Sequence, residues 1–268
     1  MPQEISELLV EIERAVEKDE GERRTASSAG LAAARALAAT MPLVHRTGRR
    51  DKNPPWTEIL KGRAFRASPS VTEEEEGCGW PPSVYFFLGV AAYPKGSIAF
   101  LLEQDALGSQ AGTFSAFDSG ALSRGHIVPR DTTLPWSLDD RIRHLDRHSG
   151  SVTAVRDFAG PYIASHFRDP SSYVSLPQES EPDFDAYHGL RSTNGDRRAW
   201  TIEVRLHGDV PVSPGRDKLR AIVLANRALE SDVPDDFVDR IVVAEADADS
   251  DGDVAWTTAS LVLTGGAS

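Results

Sequence analysis

The chain has 268 residues, of which 40% are hydrophobic and 26% are charged, and its formal net charge is −12. This hydrophobic fraction can build a folded core and excludes wholesale disorder, and no apolar run reaches the roughly 18–20 residues of a membrane span. A single cysteine, Cys78, cannot form an internal disulfide, which disfavours a disulfide-stapled secreted scaffold. We therefore predict an acidic, cytoplasmic globular protein that does not bind membranes.

Charge is distributed unevenly along the chain. Residues 41–66 carry seven basic and two acidic side chains, a local balance of +5, whereas residues 230–253 carry ten acidic side chains and one basic one, a balance of −9. The basic segment predicts a place for an anionic small molecule or a nucleic-acid end. The acidic C-terminal third predicts a surface for a basic protein partner.

The N-terminal part of the sequence has the apolar spacing of helices. A second helix, alanine-rich and capped by serine, is predicted over residues 27–39. The first helix has an apolar stripe that could dock on a protein partner. This stripe consists of Ile5, Leu8, Leu9, Ile12 and Val16. We predict an N-terminal helical segment over residues 1–41 and a single α+β domain over residues 42–268.

Most of the remaining apolar segments are typical of strands. Residues 73–76, four consecutive glutamates, are predicted as a solvated loop, and residues 137–168 as helical with a break at Gly160-Pro161. Strands are predicted at 43–46, 84–90, 98–102, 113–117, 200–206, 219–225, 241–244 and 254–263. The result is an α+β architecture in which a helical and loop-rich insertion occupies about residues 120–198.

Two segments resemble a known family. The run Leu43-Val44-His45-Arg46-Thr47-Gly48, followed by a short helix and Gly62, resembles the opening of the ADP-ribosyltransferase-like fold. Val84-Tyr85-Phe86-Phe87 resembles the Val-Tyr-Phe strand of the same family, with Tyr93 further along the chain. DNA-targeting ADP-ribosyltransferase toxins, RNA 2′-phosphotransferases and poly-ADP-ribose polymerases share variants of this layout.

The resemblance implies a mixed or antiparallel β-rich core. It also implies that the protein is an enzyme with a particular reaction. That reaction is NAD+-dependent transfer of ADP-ribose to a nucleic-acid or protein acceptor, as in a toxin or defence effector, with NAD+ as substrate and without a metal. It implies that Glu245 holds the ribose 2′-hydroxyl and orients the acceptor, and that Tyr85 stacks on nicotinamide. It also implies a set of NAD+-binding residues. These are His45, Arg46, Thr47 and Tyr93.

The implied roles are chemically reasonable. Cleaving the nicotinamide glycosidic bond builds positive charge on the ribose, which a nearby carboxylate stabilises. His45 would hydrogen-bond the adenosine-side ribose, and Arg46 or Arg49 would bind the pyrophosphate with a forked guanidinium. Glu203 and Glu103 are alternatives to Glu245 as the catalytic glutamate.

Other interpretations remain open. One is a non-catalytic interaction or immunity-type protein that uses the N-terminal helix or the acidic C-terminal third. A weaker one is a metal-dependent hydrolase, because His144 and His148 lie four residues apart on a predicted helix and His166 could be a third ligand. Flanking arginines instead favour a solvated helix face for these histidines. The run Asp118-Ser119-Gly120 is predicted to be a turn, and the glutamates before Cys78 disfavour a reactive thiolate there.

Overall fold

The centre of the fold is a β-sheet with helices packed on it. It is seen in a computed structural model that describes residues 10, 12, 28–47, 55–69, 72–90, 92, 98–103, 110–131, 136–175, 181–184, 188–193, 195–213, 219–225 and 227–243. The strand predicted at residues 254–263 lies outside the described residues, as does the N-terminal apolar stripe apart from Ile12.

The described residues form an eight-stranded sheet in the order β12-β11-β4-β1-β3-β9-β5-β7, with the two-stranded pairs β10-β2 and β6-β8 beside it. Neighbouring strands of the large sheet are antiparallel except β11 and β12, which run parallel. The strands are β1 (Leu43–Thr47), β2 (Ala64–Phe65), β3 (Ser83–Leu88), β4 (Ile98–Leu102), β5 (Gly112–Ser115), β6 (Ile127–Pro129), β7 (Ser149–Ser151), β8 (Leu190–Ser192), β9 (Glu203–His207), β10 (Val210–Pro211), β11 (Leu219–Leu224) and β12 (Ile241–Val243).

The helices fill the connections between strands. The α-helices are α1 (Ser28–Thr40), α2 (Pro55–Gly62), α3 (Glu73–Gly77), α4 (Ser119–Ser123), α5 (Leu138–Arg147), α6 (Val155–His166) and α7 (Ser172–Ser175). Short 3-10 segments lie at Val152–Ala154, Arg197–Ala199, Arg227–Asp232 and Asp235–Arg240. The predicted α+β class is confirmed. In the part of the chain that the structure describes, no helix has both the length and the apolar character needed to cross a bilayer.

The central strands present two chemically different faces. On one face Phe86 of β3 lies opposite Val204 of β9, and Val204 lies opposite Phe114 of β5; all three side chains are buried in the main hydrophobic core. Because side chains alternate along a strand, the next residues point to the other face. There Tyr85 lies opposite Arg205, so the sheet has a polar region at its middle.

Several predictions of local structure are wrong. Pro161 lies inside α6 rather than at a break, and the helical segment predicted over residues 137–168 is interrupted instead by β7 and the 3-10 segment Val152–Ala154. A proline here removes one helical hydrogen bond, that to the carbonyl of Asp157, which is an exposed residue. The glutamates 73–76 are not a solvated loop but form α3, capped by the hydroxyl of Thr72, and two of the four are buried. A sequence of consecutive acids conceals the fact that one helical turn places them on different sides.

Helices α1 and α6 approach closely because α6 has a glycine at the contact. A Cβ on Gly160 would lie 2.6 Å from Cγ and 2.9 Å from Cα of Arg35 in α1. The second of these atoms belongs to the backbone, so relief requires the two helices to move apart.

We predict that Gly160→Ala destabilises the protein by up to about 2 kcal/mol, because an overpacking cost of about 1–3 kcal/mol outweighs the gain of about 1 kcal/mol that alanine normally brings inside a helix. The measurement is the free energy of unfolding in urea. Gly62→Ala is the matched control, since a Cβ at the end of α2 meets nothing within 4 Å. Equal stability of both variants would contradict the assigned helix contact.

Candidate active site

The structure separates two of the predicted site residues. His45 in β1 lies opposite Phe100 of β4, and its ring packs against Phe65, Phe86 and Phe100 at centroid distances of 4.7, 5.5 and 6.5 Å. Its Nδ1 donates to the backbone carbonyl of Tyr85 over 2.8 Å. Burial lowers the pKa of His45, a shift that this hydrogen bond partly opposes.

The side chain of Tyr85 points away from His45. Val44 lies opposite Phe87, so these two residues share a face, and Tyr85 shares it as well because it is two residues from Phe87. His45, one residue from Val44, is on the opposite face. The imidazole and the phenol therefore do not meet in one cleft.

The other predicted residues are dispersed. Arg46 is half-buried on the same face as Tyr85, and Thr47 is buried at the end of β1. Tyr93 and Glu245 lie outside the described residues. Their roles stay predictions.

Glu103, one of the alternative glutamates, forms an ion pair with Arg220. Its carboxylate accepts two hydrogen bonds from Arg220, from Nε at 2.7 Å and Nη2 at 2.6 Å. Arg220 also donates to the carbonyl of Thr40 at the end of α1. This glutamate thus helps to fix α1 to the sheet.

Glu203, the other alternative, belongs to a polar group on the face of Tyr85. We call this group the acid cluster and define it as Glu75, Tyr85, Ser119, Glu203 and Arg205. Glu203 and Arg205 are two residues apart on β9 and point to the same face, and Tyr85 lies opposite Arg205 on β3. Glu75 enters from α3 and Ser119 begins α4.

Hydrogen bonds connect every member of the acid cluster. The hydroxyl of Ser119 lies 2.6 Å from Oε1 of Glu75 and 3.1 Å from Oε1 of Glu203, and its backbone N–H donates to Oε2 of Glu203 over 3.1 Å. The phenol of Tyr85 donates to Oε2 of Glu75 over 2.9 Å. Nη1 of Arg205 donates to Glu203 and lies 3.9 Å from Oε1 of Glu75.

A segment of residues 72–80, which we call the cover, closes the acid cluster. It contains α3 and ends at Trp80, whose ring lies 3.9 Å from the guanidinium carbon of Arg205. Glu74 anchors the cover to α5 through an ion pair of 2.5 Å with Arg141. As a result Glu75, Arg205 and Glu203 are only 0%, 1% and 2% exposed.

Burial controls the protonation of the acid cluster. It raises the pKa of Glu203 to about 8; Arg205 opposes the shift, and the acids Asp118 and Glu75 add to it. Burial and the neighbouring Glu75 also raise the pKa of Tyr85, which keeps the phenol as a donor. The shift of Glu203 follows from its removal from water, and its two oxygens still accept hydrogen bonds from Arg205 and from the N–H of Ser119.

One donor in the acid cluster is unused. The buried Nη2 of Arg205 has no hydrogen-bond partner among the described residues. An unpaired guanidinium N–H in a low-dielectric site is unfavourable, and a ligand oxygen or an ordered water could satisfy it. The arrangement can thus offer a bound molecule carboxylate acceptors and a guanidinium donor.

The sequence did not identify Glu75, Ser119 or Arg205 as candidate site residues. The pattern that could have revealed part of the acid cluster is Ile202-Glu203-Val204-Arg205-Leu206, in which two charges alternate with three apolar residues. That spacing places both charges on one face of a strand in an otherwise apolar sheet. No local pattern marks Glu75 over its neighbours.

The histidines of the metal alternative are packed rather than solvated. Ring centroids of His144 and His148 are 4.2 Å apart, and those of His166 and His188 are 5.7 Å apart. Phe117 contacts three of the four rings. The expected solvated helix face is therefore wrong. Within the described ranges, no three potential ligands are arranged to hold a metal ion.

The surroundings of Cys78 and of Asp118 indicate structural roles for both residues. Burial, with Asp146 as the next contribution, raises the pKa of the Cys78 thiol to about 11. Asp118 caps α4 by accepting from the N–H of Ala121 at 2.8 Å, so the predicted turn is instead a helix start.

No protein-family model matches the chain, and no curated protein matches it significantly. The resemblance to ADP-ribosyltransferases therefore stays a prediction.

We predict that acid destabilises the protein through the histidines. Burial lowers the pKa of His144 to about 3 and that of His148 to about 4, whereas the unfolded value is 6.5. The unfolded chain therefore binds protons first, so stability is full above pH 6.5 and falls as the pH drops below it. Each histidine contributes a loss of about 1 kcal/mol between pH 7.5 and 5.5.

Urea denaturation at these two pH values checks this expectation. His144→Phe keeps an aromatic ring and should reduce the loss, whereas His126→Asn, a half-buried histidine outside the packed group, should not. A loss as large in His144→Phe as in the wild type would refute the assignment.

Glu203 predicts the opposite dependence on pH. Its pKa is raised from 4.5 to about 8, so the folded state holds a proton that the unfolded state has released. The stabilising contribution is complete below pH 4.5 and is lost as the pH rises through 8. Glu203→Gln lacks this titration, so its melting temperature relative to the wild type should rise between pH 5 and 8. A constant difference would show that Glu203 is ionised throughout.

Proposed function

We propose that the protein transfers ADP-ribose from NAD+ to a nucleic-acid or protein acceptor, with the acid cluster as its active site and Glu203 as its catalytic glutamate. The proposal keeps the reaction that the sequence resemblance implies. It replaces Glu245 by the glutamate that lies beside Tyr85.

The observation that carries the proposal is the placement of Tyr85 and Glu203. They occupy one face of neighbouring strands, and the carboxylate of Glu75 and the hydroxyl of Ser119 connect them through hydrogen bonds. Glu103, in contrast, is engaged with Arg220. Among the described glutamates considered from the sequence, Glu203 is the one that shares a site with the tyrosine.

The chemistry of the acid cluster suits a ribosyl transfer. When the bond between the ribose and nicotinamide breaks, its electron pair goes to the nicotinamide nitrogen and positive charge develops on the ribose. Glu203 is surrounded by two further acids, Glu75 and Asp118, and by one guanidinium, that of Arg205. The positive charge of a bound nicotinamide ribose favours the ionised form of Glu203, so that this group of acids stabilises a cationic transition state. The unused N–H of Arg205 offers a donor to a substrate oxygen.

The proposal differs from the resemblance in two respects. His45 is on the other face of the sheet, so a contact between its imidazole and the adenosine-side ribose is not part of this site. The acid cluster is also closed, because the cover lies over it. Binding of NAD+ therefore requires residues 72–80 to move away from Arg205.

A second candidate is a non-catalytic interaction protein. The observation that favours it is the complete burial of Glu75, Glu203 and Arg205, which an ion cluster with a purely structural role would share. In that case the cluster fixes the cover to the sheet, and partners bind elsewhere through the acidic C-terminal third.

NAD+ turnover separates the two candidates. With NAD+ as the probe and water as the acceptor, the wild type should release nicotinamide, and NAD+ should raise its melting temperature. Glu203→Gln should lower the release by about 10²–10³-fold, the usual effect of removing one group that stabilises the transition state. Chromatography of released nicotinamide is the measurement.

Glu103→Gln is the matched control, because it removes the same charge from a structural ion pair and should leave the rate unchanged. A wild-type protein that neither releases nicotinamide nor responds thermally to NAD+ would favour the non-catalytic candidate. Equal rates for Glu203→Gln and the wild type would remove Glu203 from the reaction.

A further inference from the structure

The cover has more than a shielding role, because it inserts a carboxylate into the acid cluster. Of its four consecutive glutamates, Glu73 and Glu76 are exposed and Glu74 is paired with Arg141. Glu75 alone among them contacts Tyr85 and Ser119. The four glutamates therefore have three environments: one lies in the acid cluster, one pairs with Arg141, and two are exposed to solvent.

The burial of Glu75 is energetically unfavourable. Removing a carboxylate from water costs several kcal/mol, and a second buried acid, Glu203, lies across the hydroxyl of Ser119. A cover that served only to exclude water could fill this position with an apolar side chain. Strongly desolvated, like-charged acids that share one site are typical of catalytic centres.

The hydrogen bonds give the two acids different roles. The hydroxyl of Ser119 has a single proton, and its shorter contact is the one of 2.6 Å to Glu75. Its contacts with the two oxygens of Glu203 are longer, at 3.1 and 3.3 Å. Both oxygens of Glu75 accept a hydroxyl hydrogen bond, one from Ser119 and one from Tyr85, which is the pattern of a carboxylate rather than a carboxylic acid.

We propose that Glu75 is the second catalytic carboxylate of the acid cluster and acts as the general base that takes a proton from the acceptor. This inference depends on the proposed function. The lone pair of the acceptor oxygen or nitrogen forms a bond to the ribose C1′, and the electrons of the C1′–nicotinamide bond leave with nicotinamide. The proton of the acceptor goes to Glu75 and from there to solvent, so the transfer needs no other reactant.

The assignment makes the cover part of the catalytic machinery. Because Glu75 and Trp80 belong to the same segment, opening of the cover removes the base from the acid cluster. Closure over bound NAD+ returns the base to the acid cluster. The acceptor must therefore approach along the side from which Glu75 enters.

The test compares Glu75→Gln with Glu76→Gln, using NAD+ as the probe and water as the acceptor. The second variant removes the same charge from an exposed position of the same helix. Loss of a general base should lower kcat about 10²–10⁴-fold in Glu75→Gln with little change in KM. Glu76→Gln should retain the wild-type rate.

Two further variants distinguish catalysis from folding. Glu75→Asp keeps a carboxylate and should retain more activity than Glu75→Gln. Glu75→Ala leaves space in which added formate can act as the base, so formate should raise its rate, and the fall of the wild-type rate at low pH should be absent without formate. Melting temperatures of all variants are measured alongside.

Several outcomes would overturn the proposal. If the wild type releases nicotinamide and Glu203→Gln does not, but Glu75→Gln has the wild-type rate, Glu75 is not the base and the proposed function survives. If activity falls with melting temperature and formate does not restore it, Glu75 has a structural role only. If the wild type releases no nicotinamide, both proposals fail together.

Discussion

The contact of Arg205 with Glu203 and Glu75 is the interaction on which the middle of this molecule depends. Arg205 is almost completely buried, its Nη1 lies against both acids, and the ring of Trp80 covers its guanidinium. Removing one partner of such a group leaves an uncompensated charge in a low-dielectric environment, which destabilises a protein by about 3–5 kcal/mol. Through Trp80 this contact holds the cover on the sheet, and Arg205 opposes the rise that burial causes in the pKa of Glu203.

The alternation of side chains along β1, β3 and β9 determines what the site can contain. It places the phenol of Tyr85 with Glu203 on one face and the imidazole of His45 among phenylalanine rings on the other. Chain order suggests a site of one histidine, one tyrosine and one glutamate. In the structure the tyrosine and the glutamate are neighbours, whereas the histidine lies in the core on the other face of the sheet. The rest of the site comes from α3 and α4, which carry Glu75 and Ser119.

Much of the fold could be predicted from the sequence because its strands are rich in β-branched and aromatic residues with sharp turns between them. The strand predicted at 98–102 and the helix predicted at 27–39 agree with the observed β4 and α1 to within a residue at each end. The class of the fold follows from the same patterns. Chain order could also suggest Glu203 as one of three glutamates, but it could not choose among them, since the choice depends on which strands are neighbours.

Other features could not be predicted because they depend on tertiary contacts. A proline normally ends a helix, yet α6 continues past Pro161. Four acids in a row suggest solvent exposure, yet Arg141 and the hydroxyls of Tyr85 and Ser119 make burial of two of them tolerable. Likewise, His144 and His148 are flanked by arginines in sequence, but Phe117 and Trp136 cover the ring of His144 in space.

The cap of α3 has a consequence for the identity of the site. This helix has five residues, so its rotational phase is fixed almost entirely at its first turn, where the hydroxyl of Thr72 accepts the N–H of Glu75 over 3.2 Å. A shift by one position would rotate the helix by about 100° and send a chemically identical carboxylate in another direction. Since its four glutamates are interchangeable in composition, the hydroxyl of Thr72 helps to select which of them reaches Tyr85 and which one binds α5.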